Sequence, residues 1–593
     1  MSYMMEWKEI EEFEVELPRK QHPEISGEEL GFKDGENNGE IFRNAIEYCK
    51  KKGIATLKLK KGKYYFEKGF HIYIEGMKDF TIDGGGSEFV FSNIEHFMQI
   101  IGCDHFCMKN IIVDWDWDKE PLASLAVVEN VAEDFSYIDM RFPEYDVFPK
   151  GSQIRGYTPL HHEHLSVGYY GGVALGNYHF SHSRWIEPNL LRLYCIEPEK
   201  MHFLRPGLTY AARHYVYDAS MMEMMDNTHL TLENITVYSA AGNCFVVRGD
   251  QSYWKLKHCR LMKRPGTTRC MSGTADGHHI TNSKGYFIME DCDFSFQGDD
   301  ALNVHDNSIG NVVPVGRNCV LVKKLLNKYL LKVGDLAEFR NKDLSPTGYK
   351  AKVTAIENHV DSKTCTVYFD TPFPDSFSDD LIIFNREYHS GHYILRRNKF
   401  HQNRARGALF NAGDGLVEDN VFYMTQGAAM QLEAGVERRW SEGYGINNLI
   451  FRNNVIESCD TNHWNGAVIY MGVYLDSGRT DYPIFQNVLF ENNTIINCPQ
   501  QAFFLSSCKN VIVRNNVIIN PCTKTVQDTI DFNVMRELKG KPGIIYVERA
   551  SDVYIEDNVC MSTAKSNDSG IVIHKSENVY IKNNKGALQR REI

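Results

Sequence analysis

The chain has 593 residues and a formal net charge of −12 at pH 7, with 65 Lys and Arg against 77 Asp and Glu. This length exceeds what one ordinary hydrophobic core supports, which predicts either several domains or one repeat architecture with insertions. The acidic balance argues against nucleic acid or an anionic membrane as a partner, because both require a clustered basic surface.

The first twenty residues, MSYMMEWKEIEEFEVELPRK, are charged where a signal peptide needs an apolar run, and no later stretch has the ~18 apolar residues of a membrane span. The fifteen cysteines are scattered without CxxC spacing, which is typical of reduced thiols. The sequence therefore predicts a cytoplasmic location, although a secreted chain trimmed of its signal would look the same.

A short pattern recurs along the chain: a polar residue, then Asn, Asp or Cys, then β-branched or aromatic residues, as in LENITV, FRNNVI and VRNNVI. Its last Asn or Cys falls at positions 110, 234, 259, 292, 398, 420, 454, 493, 516, 558 and 584. Gaps of 22 to 26 residues fit one coil of a β-solenoid, in which Asn takes the bend and can stack into a ladder. The pattern predicts an all-β, right-handed parallel β-helix.

Two much longer gaps, of 124 and 106 residues, predict insertions into this β-helix. Alternating strands separated by turns indicate that both insertions are antiparallel and β-rich, the second being a small barrel. The predicted order is a cap helix and first coils (1–117), the first insertion (118–215), coils with an acidic motif (216–305), the barrel (306–388) and the C-terminal coils (389–593).

The acidic motif contains Asp276 in TADG and the pair Asp299 and Asp300 in GDD, 23 and 24 positions later, or about one coil. The spacing predicts stacked carboxylates on one face, with Gly298 bending the backbone so that both acids of the pair are exposed. Neighbouring carboxylates raise at least one pKa, so one can serve as general acid while others activate water. Turn chemistry and a structural Ca²⁺ are the alternatives.

Polar residues near these acids in the sequence, or on later coils, are candidate substrate-binding groups. Arg404 and Arg406 alternate on one strand and therefore face the same side, as hydroxyl-binding donors or as salt-bridged spacers. Trp440 can stack on a sugar, or simply cover the solenoid. The full set is His278, His279, Asn303, His305, Arg404, Arg406, Glu433, Trp440 and Glu442.

The sequence predicts no cofactor and no metal. The HHEH run at 161–164 lacks the HExxH spacing of zinc proteases, and we interpret it as a polar wall of the cleft. No phosphate loop, nucleotide fingerprint or Ser-His-Asp motif is evident.

The TADG and GDD motifs are similar to the NTDG…GDD arrangement of polygalacturonases, which are inverting β-helix glycosidases. In that family the first aspartate of the pair is the acid and the other two acids activate water. By this resemblance Asp299 is the general acid, and Asp276 and Asp300 form the water-activating pair. The family's downstream G-H-G and R-x-K motifs have no clean equivalent here.

The chain more closely resembles glycoside hydrolase family 110, the α-1,3-galactosidases that remove terminal galactose. The similar segments are IIVDWDWDKEP (111–121), GDDALNVH (298–305), NRARGALF (403–410) and AGVERRWSEG…LIFRNN (434–454), together with the barrel. The chain departs from that pattern in VHD after the acids and in QLEAG before WSEG. The resemblance implies an inverting exo-α-galactosidase that acts on oligosaccharides or glycans.

Two other functions fit the predicted fold. One is an enzyme acting on uronides, either a polysaccharide lyase, an epimerase or a polygalacturonase-like hydrolase. The other is a carbohydrate-binding solenoid without catalysis. The sequence leaves homo-oligomerisation open.

Overall fold

A computed structural model describes residues 9–67, 72–92, 97–149, 153–161, 165–167, 173–360, 362–377, 379–437, 440–461, 465–476, 478–523, 542–562 and 570–591. The chain forms a β-helix in which strands of successive coils pair in parallel, and it carries a separate closed antiparallel barrel. The predicted fold class is confirmed.

Three rows of strands run along the β-helix. The first row, called the site face below, contains Ile72–Glu75, Met98–Ile101, Met222–Met225, Phe245–Arg248, His278–Thr281, Leu302–His305, Ala408–Phe410, Met430–Glu437, Ala467–Leu475, Gln501–Arg514, Ile545–Glu556, Ile571–His574 and Arg590–Arg591. A short strand, Trp440–Glu442, pairs antiparallel with the end of Met430–Glu437.

The second row contains Glu24–Ser26, Thr56–Lys58, Lys78–Phe91, Asp104–Trp115, Thr228–Val237, Ser252–Lys257, Gly285–Glu290, Tyr393–Arg396, Gly415–Glu418, Ile446–Arg452, Phe485–Glu491 and Glu577–Lys582. The third row contains Lys63–Phe66, Arg260–Leu261, Asp293–Ser295, Lys399–His401, Val421–Tyr423, Val455–Glu457, Thr494–Ile496, Val517–Ile519, Val559–Met561 and Lys585–Gly586. Long strands pass from one row into the next.

A buried asparagine ladder supports the C-terminal coils. In each step, the backbone N–H and the side-chain amide of one Asn donate to the side-chain oxygen of the Asn one coil later, as from Asn454 to Asn493 at 3.0 and 3.1 Å. The ladder consists of Asn398, Asn420, Asn454, Asn493, Asn516, Asn558 and Asn584. The bends are therefore satisfied by repetition of one residue type.

In the two earliest coils, the Asn that the repeat pattern marks lies one residue before the buried column and is not part of it. Asn110 and Asn234 have left-handed backbones, with φ of 58° and 55°, and lie one position before the buried column. That column holds Ile111 and Ile235 in these coils, because Ile235 pairs with Ile111 in register. An Asn at either of the two adjacent bend positions produces the same sequence pattern.

One α-helix, Gly39–Lys52, covers the first coils by burying Phe42, Ala45, Ile46 and Cys49 against the core of the β-helix. Among the described residues, short 3-10 helices span Glu28–Leu30, Asn177–His179 and Pro198–Lys200. Within the described ranges, no helix has the length and apolar run needed to cross a bilayer.

Two antiparallel modules interrupt the β-helix. The first is a seven-stranded sheet of Ala123–Val131, Tyr137–Arg141, Gly156–Leu160, Leu175–Gly176, Phe180–Glu187, Leu190–Cys195 and Thr209–Arg213. The second is a closed barrel of Ser308–Pro314, Cys319–Val322, Leu336–Arg340, Pro346–His359, Thr364–Phe369 and Leu381–Asn385. Each module has its own hydrophobic core.

Candidate active site

Four polar residues occupy the same bend in successive coils. Asn243, Asp276, Asp300 and Arg406 each lie two residues before a strand of the site face, and those strands are in register. The backbone N–H of Asp276 donates to the Asn243 side chain (3.0 Å), that of Asp300 to Asp276 (3.1 Å) and that of Arg406 to Asp300 (2.8 Å). Each carboxylate thus binds a backbone N–H of the next coil.

Asp299 completes a cluster of three carboxylates. One oxygen each of Asp276, Asp299 and Asp300 lies within 4.8 Å of the other two. The Asp299 side chain is 15 % exposed, whereas those of Asp276 and Asp300 are 4 % and 3 % exposed. Asp299 is therefore the acid of the three that reaches the surface.

The prediction that Gly298 exposes both acids of the pair is wrong. A side chain at Gly298 would come within 2.4 Å of the Thr274 carbonyl oxygen, so glycine is needed for close contact between coils. Asp300 stays buried, but its charge is not directed into the apolar core, because it accepts the Arg406 N–H.

The surroundings give the three acids unequal proton affinities. Burial raises the pKa of Asp300 well above its usual range, and it also raises the pKa of Asp276, against the opposing hydrogen bond from His279. Burial acts the same way on Asp299, but the positive charges of Arg404 and Arg406 and the Tyr217 hydrogen bond outweigh it and lower the pKa. The substrate-free cluster therefore favours an ionised Asp299 and a proton on the buried acids.

Of the predicted substrate-binding residues, four are brought together beside the acids. His279 Nδ1 is 2.7 Å from Asp276, and Asn303 occupies the same strand position one coil later. His305 lies 3.0 Å from the Asn303 oxygen and 3.7 Å from a Glu442 oxygen. Burial lowers the pKa of His305 to about 3, so this imidazole stays neutral and can only exchange hydrogen bonds.

The prediction for His278 is contradicted. Successive side chains on a strand point to opposite faces, and with His279 outward, His278 points inward. It is fully buried, with Nδ1 3.1 Å from the Phe245 carbonyl oxygen and Nε2 accepting the indole N–H of Trp254 at 3.3 Å. His278 is a core residue and does not line the cleft.

Both arginines contact the acids. Arg404 donates to Asp299 at 2.9 Å, and the Arg406 side chain lies 3.1 Å from Asp300. The two predicted interpretations, salt bridge and hydroxyl donor, are compatible, since both side chains remain about one fifth exposed.

Three residues at the site were not predicted. The Tyr217 hydroxyl donates a short hydrogen bond to Asp299, and Arg213, at the end of the inserted sheet, adds a positive charge that Asp299 senses. Both follow a long insertion, so coil spacing does not indicate them. Asn243 could have been found from the coil spacing, because it lies one coil before Asp276 at the same bend.

Glu433 and Trp440 lie further along the β-helix. Glu433 is buried, accepts a short hydrogen bond from Gln431, and has its pKa raised to about 8 by burial. Trp440 packs edge-on against Tyr474, with ring centres 6.3 Å apart, and lines a separate cavity of about 880 Å³ beside the barrel. Their predicted contact with substrate stays a prediction.

The three acids could also hold a hard divalent cation, because carboxylate oxygens at this spacing suit Ca²⁺ or Mg²⁺. Of the HHEH run, residues 162–164 lie outside the described residues, so its predicted role as a wall stays a prediction.

No protein-family model matches the chain. The resemblance to α-1,3-galactosidases is confirmed across most of its length. Alpha-1,3-galactosidase A of Shewanella woodyi is 23 % identical, over 91 % of this chain and 91 % of that protein. Alpha-1,3-galactosidase B of Akkermansia muciniphila is 23 % identical over 85 % and 71 %, and that of Bacteroides thetaiotaomicron 23 % over 84 % and 86 %.

Solved structures similar to the chain include the family 28 exopolygalacturonase of Yersinia enterocolitica, 12 % identical, with a TM-score of 0.46 over 96 % of this chain and 79 % of that one. The Agl-KA catalytic domain is 13 % identical, with a TM-score of 0.44 over 95 % and 69 %.

Proposed function

We propose that this protein is an inverting exo-α-galactosidase, which removes terminal α-linked galactose from oligosaccharides or glycans without a metal. The observation that carries the proposal is the cluster of Asp276, Asp299 and Asp300, whose oxygens lie within 4.8 Å and whose proton affinities differ. The names of the relatives supply the sugar and the linkage class.

In this proposal Asp299 donates its proton to the glycosidic oxygen, because it is the acid that a substrate can reach. The C–O bond to the departing sugar breaks, and a water molecule attacks the anomeric carbon from the opposite face. That water loses its proton to the pair formed by Asp276 and Asp300. An α-galactoside therefore yields β-galactose.

Two features of the site place conditions on this mechanism. Arg404 favours the ionised form of Asp299, so a sugar hydroxyl must displace Arg404 before the proton held by the buried acids can pass to Asp299. That transfer leaves the pair of Asp276 and Asp300 able to accept the proton of the attacking water. The acids are also closer than the ~6.5–9.5 Å usual in inverting glycosidases. The water must therefore be held beside the cluster by Asp276 and Asp300 together, instead of between two separated acids.

Exo action is supported by two groups that reach the site from outside the regular coils. Tyr217 follows the inserted sheet and contacts Asp299, while Glu442 belongs to the short hairpin strand and lies 3.7 Å from His305. Groups added to the open face of a β-helix restrict the room for a chain on that face, which suits the end of a glycan better than its middle.

The test is hydrolysis of a panel of aryl α- and β-glycosides and uronides, with the first-formed product anomer followed by NMR, in the presence and absence of EDTA. We expect cleavage of the α-galactoside alone, release of β-galactose and no effect of EDTA. A retained anomer would refute the inverting mechanism, and chelator-sensitive cleavage of uronides would indicate a lyase or epimerase. Binding of glycans without turnover of any substrate would indicate a carbohydrate-binding solenoid.

A further inference from the structure

A second cluster of metal-binding side chains lies where the chain returns from the barrel to the β-helix. His389 and His392 follow the last barrel strand, and Asp414 occupies the bend equivalent to that of His392 one coil later. His389 Nε2 is 3.1 Å from Asp414 Oδ2, and His392 Nε2 is 4.0 Å from the same oxygen. One ligand atom from each residue lies within 4.8 Å of the other two.

The backbone around these side chains is held by buried contacts. Between the two histidines, Ser390 donates its hydroxyl to the buried Asp306 at 2.7 Å. The N–H of His389 donates to the Ser283 carbonyl at 2.8 Å, and the N–H of Asp414 to the Asn447 carbonyl at 2.9 Å. The three side chains therefore start from fixed backbone positions, as a metal site requires.

The imidazoles are available for a ligand. Within the described ranges, His389 Nδ1 has no hydrogen-bond partner, so the only hydrogen bond of that ring is to Asp414. The His392 ring is oriented by stacking on Tyr286, with centres 4.4 Å apart, while its Nε2 points toward Asp414 without a hydrogen bond.

The three residues line a cavity of about 280 Å³, which leaves room for further ligands such as water. Arg340 and Arg386 also line it, and their positive charge opposes a cation. Their charge is offset locally, because Glu338 lies 3.1 Å from Arg340 and 3.6 Å from Arg386. Both guanidinium groups also stack on the Tyr444 ring, with 3.9 Å from Arg340 and 3.8 Å from Arg386 to the ring centre.

We propose that His389, His392 and Asp414 bind a divalent transition-metal ion of the zinc class, in a site distinct from the catalytic acids. Two imidazoles and one carboxylate are ligands that Zn²⁺, Co²⁺ or Ni²⁺ prefer over Ca²⁺ or Mg²⁺. Bonds of ~2.0–2.2 Å to one ion require the His392 ring, whose Nε2 is 4.0 Å from Asp414 Oδ2, to move toward Asp414. The ion ties the exit of the barrel to the next coil.

The experiment uses the full chain, dialysed against a chelator and titrated with Zn²⁺ by calorimetry and with Co²⁺ by visible absorption. The variants are His392→Ala and Asp414→Asn. The matched control is His401→Gln, because His401 also contacts an aspartate across coils, with 2.8 Å to Asp293, but has no third ligand among the described residues. Circular dichroism confirms that all variants are folded.

We expect the wild type and His401→Gln to bind one equivalent of Zn²⁺ more than His392→Ala and Asp414→Asn. We also expect Zn²⁺ to raise the apparent Tm of the wild type and of the control, but not of the two site variants. Equal stoichiometry and affinity in all four proteins, or no binding to the wild type at millimolar Zn²⁺, would overturn the proposal. Neither outcome depends on glycosidase activity, so the proposed function is tested separately.

Discussion

The phenol of Tyr217 donates a hydrogen bond to the carboxylate of Asp299, which lies 82 residues later in the chain. Tyr217 follows the last strand of the inserted sheet, Thr209–Arg213, and its side chain is 61 % exposed. The first insertion thus does more than form a wall, because it contributes a group that stabilises the charge on an acid of the cluster.

Replacing Tyr217 with phenylalanine removes this hydrogen bond and raises the pKa of Asp299. Because hydrogen bonds to charged groups contribute ~1.5–3 kcal/mol, we expect the acid limb of the kcat/KM profile to move to higher pH by ~1–2 units. The pH profile of kcat/KM on an aryl α-galactoside is the measurement. Tyr178→Phe, at an exposed tyrosine of the same inserted sheet, is the control. Unchanged kinetics in Tyr217→Phe would show that the contact has no role in turnover.

Arg404→Gln tests the electrostatic cause of the ionised Asp299 directly. Arg404 is the largest of the charges that lower the pKa of Asp299, so its removal raises that pKa. The acid limb of the kcat/KM profile reports the essential carboxyl that has the lower pKa in the free enzyme, which is Asp299 here. We therefore expect the acid limb to move to higher pH in Arg404→Gln. Arg397→Gln, which removes an exposed arginine paired with Asp291, leaves the limb in place. An unmoved limb in Arg404→Gln would mean that Asp299 does not set it.

The proton donor and the water-activating acids can be distinguished with two substrates, one whose leaving group needs a proton and one whose leaving group does not. Fluoride leaves without protonation, so Asp299→Asn should lose at least ~10²-fold in kcat on a galactose disaccharide but much less on α-galactosyl fluoride. Asp276→Asn and Asp300→Asn should lose activity on both substrates, because water activation is needed for each. If Asp300→Asn were the variant spared by fluoride, the donor and the base would be exchanged.

The coil spacing was sufficient to predict the β-helix and the proximity of Asp276 to Asp300, because a register of one coil is a local, repeated constraint. His279 and Asn303, which the sequence named only as candidates near the acids, are neighbours in register on successive coils. The prediction for His278 was wrong, because the direction of a side chain depends on where the strand starts relative to the bend. With two adjacent histidines, the sequence does not show which one points outward and which one points inward.

Contacts made through the insertions could not be predicted from spacing. Tyr217 reaches Asp299 from the end of one inserted module, and Glu442 approaches His305 from a hairpin strand that leaves the regular coil. Their positions depend on how each module packs on the β-helix, which has no periodic signal in the sequence.

The asparagine ladder predicts a large and local effect on stability. The Asn493 side chain accepts from Asn454 and donates to the Phe451 carbonyl and to Asn516, all within 3.1 Å. Asn493→Ala removes the side-chain partner of two buried backbone groups, the Asn454 N–H and the Phe451 carbonyl, and we expect a loss of ~3 kcal/mol or more. The apparent Tm is followed by circular dichroism.

Asn497→Ala is the control for the ladder, because Asn497 is an exposed Asn of the same coil and lies outside the ladder. Its backbone is left-handed (φ 54°), so ~1–2 kcal/mol is expected there. Equal effects of the two substitutions would mean that the buried ladder contributes no more to stability than an exposed bend residue does.

Glu433 makes stability depend on pH. Burial raises its pKa from 4.5 to about 8, so the folded state binds this proton more tightly than the unfolded state. The resulting contribution to stability is fully present below pH ~4.5 and is lost as the pH rises through about 8.

Glu433→Gln keeps the size of the side chain and removes the titration. We expect little change in apparent Tm at pH 5, and at pH 9 a variant more stable than the wild type by about 4 kcal/mol. Glu437→Gln, an exposed glutamate on the same strand, should behave as the wild type at both values. Parallel Tm curves for wild type and Glu433→Gln would show that Glu433 is ionised in the folded protein, with Arg406 as the nearest positive charge able to stabilise it.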